Sequence, residues 1–574
     1  MPLNYGKSLQ EEESLPLHNV RRKPAPSPGR LRTQSVRAEA VESTPVREFR
    51  LWLQSRLKTP TDLLQNSFSK SPYKALESEE AYFARGLGTY PALQENPFDD
   101  DYRSTSSGES EEEGVVEDDV ALVDKESFEC FIRRSVNVLP LPEIEAHSRV
   151  NHLRYKFFTV YRRLFSIVFI SNVVVLIAVL ARYRTTTALV RAATANFVVC
   201  GLARQTHCIN AMYRITCALP RSAPLWLRCR AAYVSHYGGV HSGCGVAAFF
   251  WYTGFVAMLT RDFVTQPLPL RPATAVIVLV YMVEFLLLSM MAVAYPIFRF
   301  LKHDIFELTH RFSSWIFLSF FWAAYFQLMR QASDLKRVVL ESLLIHDVTF
   351  WFVVILTVAI FSPWVTLRRV NVDPEYLSGH AIRLHFDYTA TKFAQGVSIA
   401  TNPLRDWHAF AGLRNQEGKG FSVVMSKAGD WTSACIKNQP RKMWKRAIPT
   451  YGSGHAVLLF RRVLIVATGS GIGPALSLLA AENRPPLRLL WQTREPHKTY
   501  GAKILSEVAQ VDQNAVVIDS DRFGRQDMVP IIYSMVKDFD AEAVFIVSNP
   551  LVVTKLIYEC QARGIPAFGP LFDS

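Results

Sequence analysis

The sequence predicts a multidomain fold: a six-helix transmembrane α bundle, then a small β-barrel domain, then an α/β domain. Three observations support this order. Six apolar blocks occupy residues 164–366, short alternating strand patterns follow from residue 374, and apolar strands alternate with helical stretches from residue 461. A chain of 574 residues is long enough for all three parts.

The first part of the chain is polar and precedes every apolar block. Residues 1–130 are rich in Ser, Pro, Glu and Arg, with little apolar periodicity, so we expect a disordered cytosolic tail. Its stretch 98–113 is acidic and rich in serine. A solvated tail is the simpler interpretation, and a phosphorylated regulatory segment is the alternative. Residues 131–163 are expected to form a juxtamembrane segment.

Charge and cysteine usage argue against several classes of protein. The net charge is +13, but many of the arginines flank apolar blocks, as in the cytosolic loops of membrane proteins, so we expect no nucleic-acid partner. The eight cysteines contain no C-x-x-C pair, which disfavours a disulfide framework or a zinc site. The N-terminus has no apolar signal-peptide core, so no cleaved signal is expected.

The apolar blocks predict a transmembrane domain over residues 164–370 whose partner is the lipid bilayer. The spans are 164–181, 186–203, 232–260, 273–298, 312–329 and 347–366, each near the ~20 residues that cross as a helix. Basic residues are concentrated in the loops on one side, which places both termini in the cytosol. We therefore expect a multi-pass protein of the plasma membrane or an endomembrane.

Two soluble domains are predicted after the last span. Residues 371–460 contain short alternating runs such as Ala381–Phe386 and Phe421–Met425, which indicate β-strands. In residues 461–574, apolar strands alternate with helices, which is typical of a parallel α/β sheet. These strands are Val463–Ala467, Leu487–Trp491, Ala515–Ile518 and Ala543–Val547.

The strongest motif is Thr468-Gly-Ser-Gly-Ile-Gly-Pro474, which follows a buried strand and opens a helix. Glycines let backbone amides approach a pyrophosphate, and the helix N-terminus adds a positive dipole. Pro474 is expected at the first helical position, where its missing N–H has no cost. This context predicts a nicotinamide-nucleotide site. Its pyrophosphate ligands are Thr468, Gly469, Gly471, Gly473 and Pro474.

Two further segments end strands at the same carboxyl edge. Arg494 follows the second strand of the sheet, where a basic residue favours a 2′-phosphate and hence NADPH over NADH; a solvated arginine is the alternative. Ser548-Asn-Pro550 follows a later strand, and an ordinary Asn-Pro turn is its simpler interpretation.

The order of these parts resembles the ferric reductase/NADPH oxidase superfamily over residues 145–574, and within it the fungal TmpA-type integral membrane proteins. Thr468–Pro474 is the most specific match. Trp407-His-Ala-Phe410 is similar to the flavin segment of the family, and Gly429-Asp-Trp-Thr432 is similar to the segment that closes on the flavin phosphates.

The resemblance implies a ferredoxin reductase-like pair of domains, an FAD-binding β barrel and an NAD(P)-binding α/β domain. The residues that the resemblance assigns to FAD are Trp407, His408, Phe410, Gly429 and Thr432. It places Ser548 beside the nicotinamide as the catalytic residue, where the family has Cys. Ala411 stands where the family has Thr or Ser, so we expect flavin binding with less secure hydride transfer.

The family also holds two haems on pairs of histidines in the third and fifth spans. Here His236 and His241 in the third span and His310 in the fifth lie near the cytosolic side, and they predict a single inner haem b. The outer partner positions are Phe250 and Ala323, which cannot bind iron. The alternative is that these are interfacial histidines that contact loops or lipid headgroups.

Together these features predict a membrane NAD(P)H-dependent flavoprotein oxidoreductase that passes electrons through FAD to an acceptor in or at the membrane. The acceptor stays open among an inner haem, a quinone-like lipid and a small molecule. The alternative is a non-catalytic, nucleotide-sensing or signalling protein that kept the reductase fold. A transporter fits the spans but not the glycine-rich turn, and Glu284 is the one clear carboxylate within them.

Overall fold

The computed structural model describes residues 138–144 and 158–570, apart from 183–184, 269, 406, 416–418 and 483. These residues belong to one compact unit, and the predictions for residues 1–130 fall outside them. In chain order they form a helical region, a β domain and an α/β domain, which is the order that the sequence predicts.

The helical region covers residues 160–365. Its helices are α1 Val160–Arg182, α2 Thr186–Leu202, α3 Thr206–Thr216, α4 Leu225–Ala232, α5 Gly238–Thr265, α6 Thr274–Ala294, α7 Pro296–Leu301, α8 His303–Lys336, α9 Leu340–His346 and α10 Val348–Val365. A 3-10 turn, Tyr233–Tyr237, joins α4 to α5, so the third predicted span lies inside one continuous helical stretch, 225–265.

Within the described residues, five helical stretches are long and apolar enough to cross a bilayer. They are 160–182, 225–265, 274–294, 303–336 and 348–365. The second predicted span corresponds to α2 with α3, a pair bent by 72° that adds a sixth crossing only if it is counted as one span.

The bend between α2 and α3 has a local cause and a tertiary one. The Gln205 side chain accepts the N–H groups of His207 and Cys208, and it thereby caps α3 as a new helix. Asn210 of α3 then binds the β domain, since its amide donates to Pro449 O at 3.0 Å and accepts from Tyr451 N at 2.8 Å. Helix α3 is therefore hydrogen-bonded to the β domain.

Polar contacts join three of the apolar helices. Asn172 of α1 accepts through Oδ1 from Asn196 Nδ2 of α2 at 2.8 Å and from Trp251 Nε1 of α5 at 2.9 Å. In an apolar environment such hydrogen bonds fix helix packing, because an unpaired amide is unfavourable there. Asn196, which interrupts the apolar pattern of the second span, thus serves helix packing.

The β domain consists of two antiparallel four-stranded sheets, with orders β1-β8-β4-β5 and β2-β3-β7-β6. Its elements are β1 Arg368–Asn371, β2 Asp373–Tyr376, β3 Ala381–Phe386, β4 Gln395–Ala400, β5 His408–Ala411, β6 Leu413–Arg414, β7 Phe421–Ser426, α11 Asp430–Asn438 and β8 Lys442–Tyr451. Apolar residues of both sheets share one core, including Val397 and Met443 from the first and Leu384 and Val423 from the second. Among the described strands, the predicted barrel is therefore formed by two packed sheets, and hydrogen bonds do not close them into one continuous sheet.

The α/β domain has a five-stranded parallel sheet with the order β11-β10-β9-β12-β13. Its elements are β9 Val463–Thr468, α12 Ile472–Leu479, β10 Leu487–Thr493, α13 Pro496–Val511, β11 Val516–Asp519, α14 Ser520–Phe523, α15 Met528–Phe539, β12 Ala543–Val547, α16 Pro550–Ala562 and β13 Ala567–Phe568. Helices α12 and α13 cover one face of the sheet, and α15 and α16 cover the other. The strands read as continuous apolar runs because both faces are buried.

Two contacts fix the α/β domain to other parts of the chain. The buried Arg228 of α4 pairs with both carboxylate oxygens of Glu542, at 2.6 and 3.1 Å, immediately before β12. In the segment 138–144, Leu139 N donates to Ser534 Oγ of α15 at 2.8 Å, and Leu141 packs on the core beneath α15 and α16. The α/β domain therefore contacts both the second apolar stretch, 225–265, and the segment that precedes the first.

Candidate functional site

The glycine-rich turn lies between β9 and α12, as predicted. Gly469–Gly471 forms a 3-10 turn, and Gly469 has a φ of 46°, a left-handed conformation that favours glycine. The indole Nε1 of Trp491, on the neighbouring strand, donates to Gly469 O at 3.1 Å. A Cβ on Gly471 would lie under 3.0 Å from Val547 O, a separation that side chains essentially never show.

The position of Pro474 differs from the prediction. Helix α12 begins at Ile472, so Pro474 is its third residue and not its first. The first four N–H groups of a helix have no intrahelical partner, so the missing N–H of Pro474 still removes no hydrogen bond. The sequence could not fix the boundary because the 3-10 turn leads directly into the helix.

Ser548 meets this turn at the point where the strand order reverses. Counted along the chain, the strands of the sheet run 3-2-1-4-5, so the reversal lies between β9 and β12. The hydroxyls of Thr468, at the end of β9, and Ser548, just after β12, are hydrogen-bonded. Ligands of open parallel sheets bind at the carboxyl edge at such a reversal. The predicted nucleotide residues and the predicted catalytic residue thus share one edge.

Arg494 lies further along the same edge, after β10. Its guanidinium Nε is 3.1 Å from Asp521 Oδ1, and Asp521 belongs to α14, which follows the adjacent strand β11. Asp519, at the end of β11, accepts the N–H groups of Glu495 and Asp521. The arginine is therefore where the sequence places it, with a carboxylate partner that the sequence did not indicate.

The predicted flavin segment forms an aromatic stack in the β domain. The His408 ring lies 4.0 Å from the Trp431 ring at 27°, and the Phe410 ring lies 6.1 Å from it at 24°. Trp431 Nε1 donates to Thr401 Oγ1 at 3.1 Å, which orients the indole. Trp431 lies within the motif Gly429–Thr432 and is the centre of the stack, although the resemblance does not assign it to FAD.

Gly429 and Thr432 begin helix α11, beside this stack. Thr432 Oγ1 accepts the N–H groups of Ala428 at 2.8 Å and Gly429 at 3.0 Å. Gly429 has an extended backbone with a φ of 179°, and a Cβ there would meet nothing within 4 Å. The segment therefore leaves open space at the start of a helix, next to the aromatic rings.

The helix that follows the nucleotide turn packs on the β domain, including strand β5, which carries His408 and Phe410. Helix α12 contacts β5, β6 and β7, and a Cβ on Gly473 would lie 3.2 Å from Val424 O. Gly473 thus permits close approach of the helix to the β domain.

Ion pairs hold these two domains together. The Glu375 carboxylate accepts from His385 Nε2 at 2.7 Å and pairs with Lys503 Nζ of α13 at 2.6 Å. The His385 hydrogen bond, together with Lys503, lowers the pKa of Glu375 to about 2, despite partial burial. Arg383 of β3 also pairs with Glu507 of α13. The interface between the two domains is therefore held by ion pairs that join β2 and β3 to α13.

Two of the three predicted haem ligands come together. The rings of His241 on α5 and His310 on α8 have centroids 6.3 Å apart. His241 Nδ1 lies 2.9 Å from Cys200 O, and because a carbonyl only accepts, Nδ1 carries the proton and Nε2 keeps its lone pair. Nδ1 of His310 is buried and has no hydrogen-bond partner among the described residues.

His236 does not share this arrangement. It lies in the 3-10 turn before α5, where its Nδ1 is 3.3 Å from Ser235 Oγ and its ring contacts Tyr233. Five residues along a helix correspond to ~140° of rotation, so His236 and His241 point to different sides. Within the described residues, no group of three or more His, Cys, Asp or Glu side chains could hold a metal ion.

The histidine pair lies at the end of the helical region that contacts the β domain. Arg311, next to His310, donates through Nη1 to Leu404 O at 3.0 Å and Arg405 O at 2.7 Å. These carbonyls precede the flavin segment by a few residues. Trp407 lies close by, with the Arg446 guanidinium over its ring at 4.4 Å and over Trp364 of α10 at 5.0 Å.

Beyond the histidine pair, aromatic rings pack between helices α2, α5 and α8. Phe197 of α2 lies 4.9 Å from Phe317 and 6.3 Å from Phe321 on α8, and Phe321 lies 6.0 Å from Tyr252 on α5. All four are buried. The expected outer positions, Phe250 and Ala323, supply no ligand, and close packing occupies the region between the helices.

Comparisons with known proteins give two levels of similarity. Residues 454–574 match the family model described as "Adenylate-forming reductase 03009, C-terminal domain". Adenylate-forming reductase 03009 of Coprinopsis cinerea is 38% identical over 434 residues, which are 75% of this chain and 42% of that protein. Adenylate-forming reductase 06235 of the same organism is 38% identical over 436 residues, 76% of this chain and 42% of that protein. The chain spans about two-fifths of the length of these relatives.

Solved structures give weaker matches. A flavohemoglobin from Malassezia yamatoensis with bound FAD and heme matches with a TM-score of 0.32 and 13% identity, over 67% of this chain and 98% of that chain. Ferredoxin-NADP+ reductase from Plasmodium falciparum with 2′P-AMP has a TM-score of 0.28 and 13% identity, over 35% of this chain and 94% of that chain. Phthalate dioxygenase reductase has a TM-score of 0.29 and 12% identity, over 36% of this chain and 68% of that chain.

Proposed function

We propose that the chain is a membrane-spanning oxidoreductase that takes electrons from cytosolic NAD(P)H and passes them through FAD to an acceptor in or at the membrane. The observation that carries this proposal is the Thr468–Ser548 hydrogen bond at the strand-order reversal, next to the aromatic segment of the β domain. The name reductase of the two Coprinopsis relatives supports the same class of reaction. The resemblance to the ferric reductase/NADPH oxidase superfamily is part of the proposal.

The nucleotide would bind along the carboxyl edge of the sheet. Gly469 and Gly471 would let the backbone approach the pyrophosphate. The N-terminus of α12 carries the positive end of the helix dipole, which would attract the phosphate charges. Ser548 would contact the nicotinamide, and Arg494 would face the adenosine ribose. The role of Arg494 rests on its position along the edge, and the role of Ser548 rests on the resemblance to the superfamily.

FAD would occupy the cleft between the β domain and the α/β domain. The residues fit a flavin in two respects: flat rings at His408, Phe410 and Trp431, and open space at Gly429 beside the start of α11. A bound flavin would accept hydride and release single electrons. His408 and Phe410 would orient the flavin ring system. Thr432 accepts the N–H of Gly429 and so fixes the first turn of α11, which would face the flavin phosphates.

A single haem b is the proposed cofactor of the helical region. Two imidazoles that bind one iron at ~2 Å each have ring centres about 6 Å apart, close to the spacing of His241 and His310. Metal-bound histidines commonly donate their second N–H to a carbonyl, as His241 does to Cys200 O. His236 is not part of this proposal, and the aromatic packing beyond the histidine pair favours an acceptor on the side of the β domain.

The test is a reduced-minus-oxidised visible spectrum of the full chain, purified in mild detergent. We expect a flavin band that NADH or NADPH bleaches, and a haem Soret band that His241→Ala or His310→Ala removes. His236→Ala is the matched control and should keep the Soret band. A preparation that binds nucleotide but contains no flavin would overturn the oxidoreductase proposal.

The second candidate is a nucleotide-sensing membrane protein that kept the reductase fold. Ala411 and Ser548 favour it, because both replace groups that assist flavin chemistry in the family that the chain resembles. This candidate requires nucleotide binding without flavin reduction. A bulky residue at Gly471 should then abolish signalling, whereas a change of His408 should leave it intact.

A further inference from the structure

The adenosine end of the nucleotide site contains opposing charges that come from two neighbouring strands. Thr493 and Asp519 are register partners at the ends of β10 and β11, so the residues after them meet at one edge. Arg494 Nε lies 3.1 Å from Asp521 Oδ1 and 3.4 Å from Oδ2. Both side chains are solvent-accessible, with 60% and 39% of their surfaces exposed. The pair is therefore held weakly and can exchange partners.

Other charges surround this pair. Glu495 pairs with Lys498 at 3.0 Å, and Asp519 accepts backbone N–H groups. On the β domain side, burial first and then the charges of Lys427 and Arg494 lower the pKa of His380. Lys427 and Arg494 thus both lie near His380, and Asp521 is in direct contact with Arg494.

An acid and a base at this edge have opposite effects on nucleotide choice. An arginine after the second strand attracts a 2′-phosphate, whereas a carboxylate favours a ribose with a free 2′-hydroxyl. Asp521 occupies the Nε edge of the Arg494 guanidinium. A 2′-phosphate bound by Arg494 must displace that carboxylate or remain next to its negative charge.

We propose that Asp521 is a specificity-determining residue that weakens 2′-phosphate binding at Arg494, so that the site accepts NADH and NADPH with little discrimination. This inference rests on the proposed nucleotide site, but it does not require flavin or haem. Removal of one negative charge ~5 Å from a phosphate in an exposed setting should strengthen its binding about 5- to 10-fold.

Calorimetric binding of two fragments to the full detergent-solubilised chain provides the test. The probes are adenosine 2′,5′-bisphosphate and 5′-AMP, which differ only in the 2′-phosphate. Asp521→Asn should tighten binding of the bisphosphate about 5- to 10-fold and leave 5′-AMP unchanged. Arg494→Gln should weaken binding of the bisphosphate, and the double variant should keep part of the gain, because the Asp521 charge acts on the phosphate directly as well as through Arg494.

The matched control is Asp540→Asn. Asp540 is an exposed carboxylate 3.9 Å from Arg462, at the opposite, amino-terminal edge of the sheet, so its loss changes the net charge equally. It should leave both affinities unchanged. Equal bisphosphate affinity in wild type and Asp521→Asn would overturn the inference about Asp521 without contradicting the proposed nucleotide site. No binding of either fragment to wild type would overturn both.

Discussion

The nucleotide turn and the flavin stack, the two halves of the candidate site, are built from different groups. The turn depends on backbone: Gly469 has a positive φ, and Gly471 packs directly on Val547 O. The stack depends on side chains, the rings of His408, Phe410 and Trp431. A backbone contact admits one residue type, whereas a stack admits several flat rings. The two halves should therefore differ in how sharply they respond to substitution.

The largest effect is expected at Gly471. In Gly471→Ala the new Cβ would meet Val547 O, and backbone cannot move aside as a flexible side chain does. We expect a loss of about 1–3 kcal/mol in unfolding free energy and at least ~10-fold weaker nucleotide binding. Thermal unfolding and nucleotide titration of the purified chain measure these two quantities.

Gly429→Ala is the matched control for this change. Gly429 has an extended backbone and open space around the position of a Cβ, so the change should stay within ~0.5 kcal/mol. If both substitutions are equally tolerated, the turn does not depend on backbone contact and the comparison between the two halves fails.

The next largest effect is expected at Trp431. Trp431→Ala removes the ring that stacks on both His408 and Phe410, and an aromatic contact contributes about 0.5–1.5 kcal/mol beyond its buried area. We expect about 10-fold weaker flavin retention, measured by flavin fluorescence after gel filtration. Trp431→Phe keeps a flat ring and should retain most of the flavin. Equal loss in both variants would mean that the indole N–H, and not the stack, is what matters.

The sequence predicted the turn well because all of its determinants are local. A buried strand, three glycines and a helix start lie within one short segment, Val463–Pro474. The motif therefore predicts its own geometry, apart from the helix boundary at Ile472. The parallel α/β sheet was predicted for the same reason, since its strands are continuous apolar runs.

The side-chain contacts could not be predicted in this way because they join distant segments. Trp431 meets His408 only after the two sheets of the β domain have packed, and Asp521 meets Arg494 only across two strands. The sequence supplied three histidines at a similar depth. Helical rotation, which brings His241 rather than His236 toward His310, was available from the 3.6-residue period but required the partner helix to be known.

A third prediction concerns the charges that hold the two halves together. The pKa of Glu375 is lowered from 4.5 to about 2, first by His385 and then by Lys503, so its contribution is complete above pH 4.5 and is lost as pH falls toward 2. Because Lys503 is half-exposed, Glu375→Gln should lower the unfolding free energy by only about 1 kcal/mol. The unfolding free energy, measured from pH 6 to pH 3, should depend less on pH in Glu375→Gln than in the wild type. The same dependence in the variant would assign it to other carboxylates.

The smallest effect is expected at Ala411, on strand β5 beside Phe410. Ala411 pairs with Gly396 of β4, so a larger side chain faces a neighbour without one. Ala411→Thr should change unfolding free energy by less than ~0.5 kcal/mol, because threonine suits a strand and has room there. Because Thr or Ser at this position reaches flavin or phosphate in the family that the chain resembles, the new hydroxyl should slow flavin loss about 2- to 5-fold. Ala411→Val is the control, with the same shape and no hydroxyl. If valine slows flavin loss equally, the gain comes from packing, and the flavin half of the site depends on shape alone.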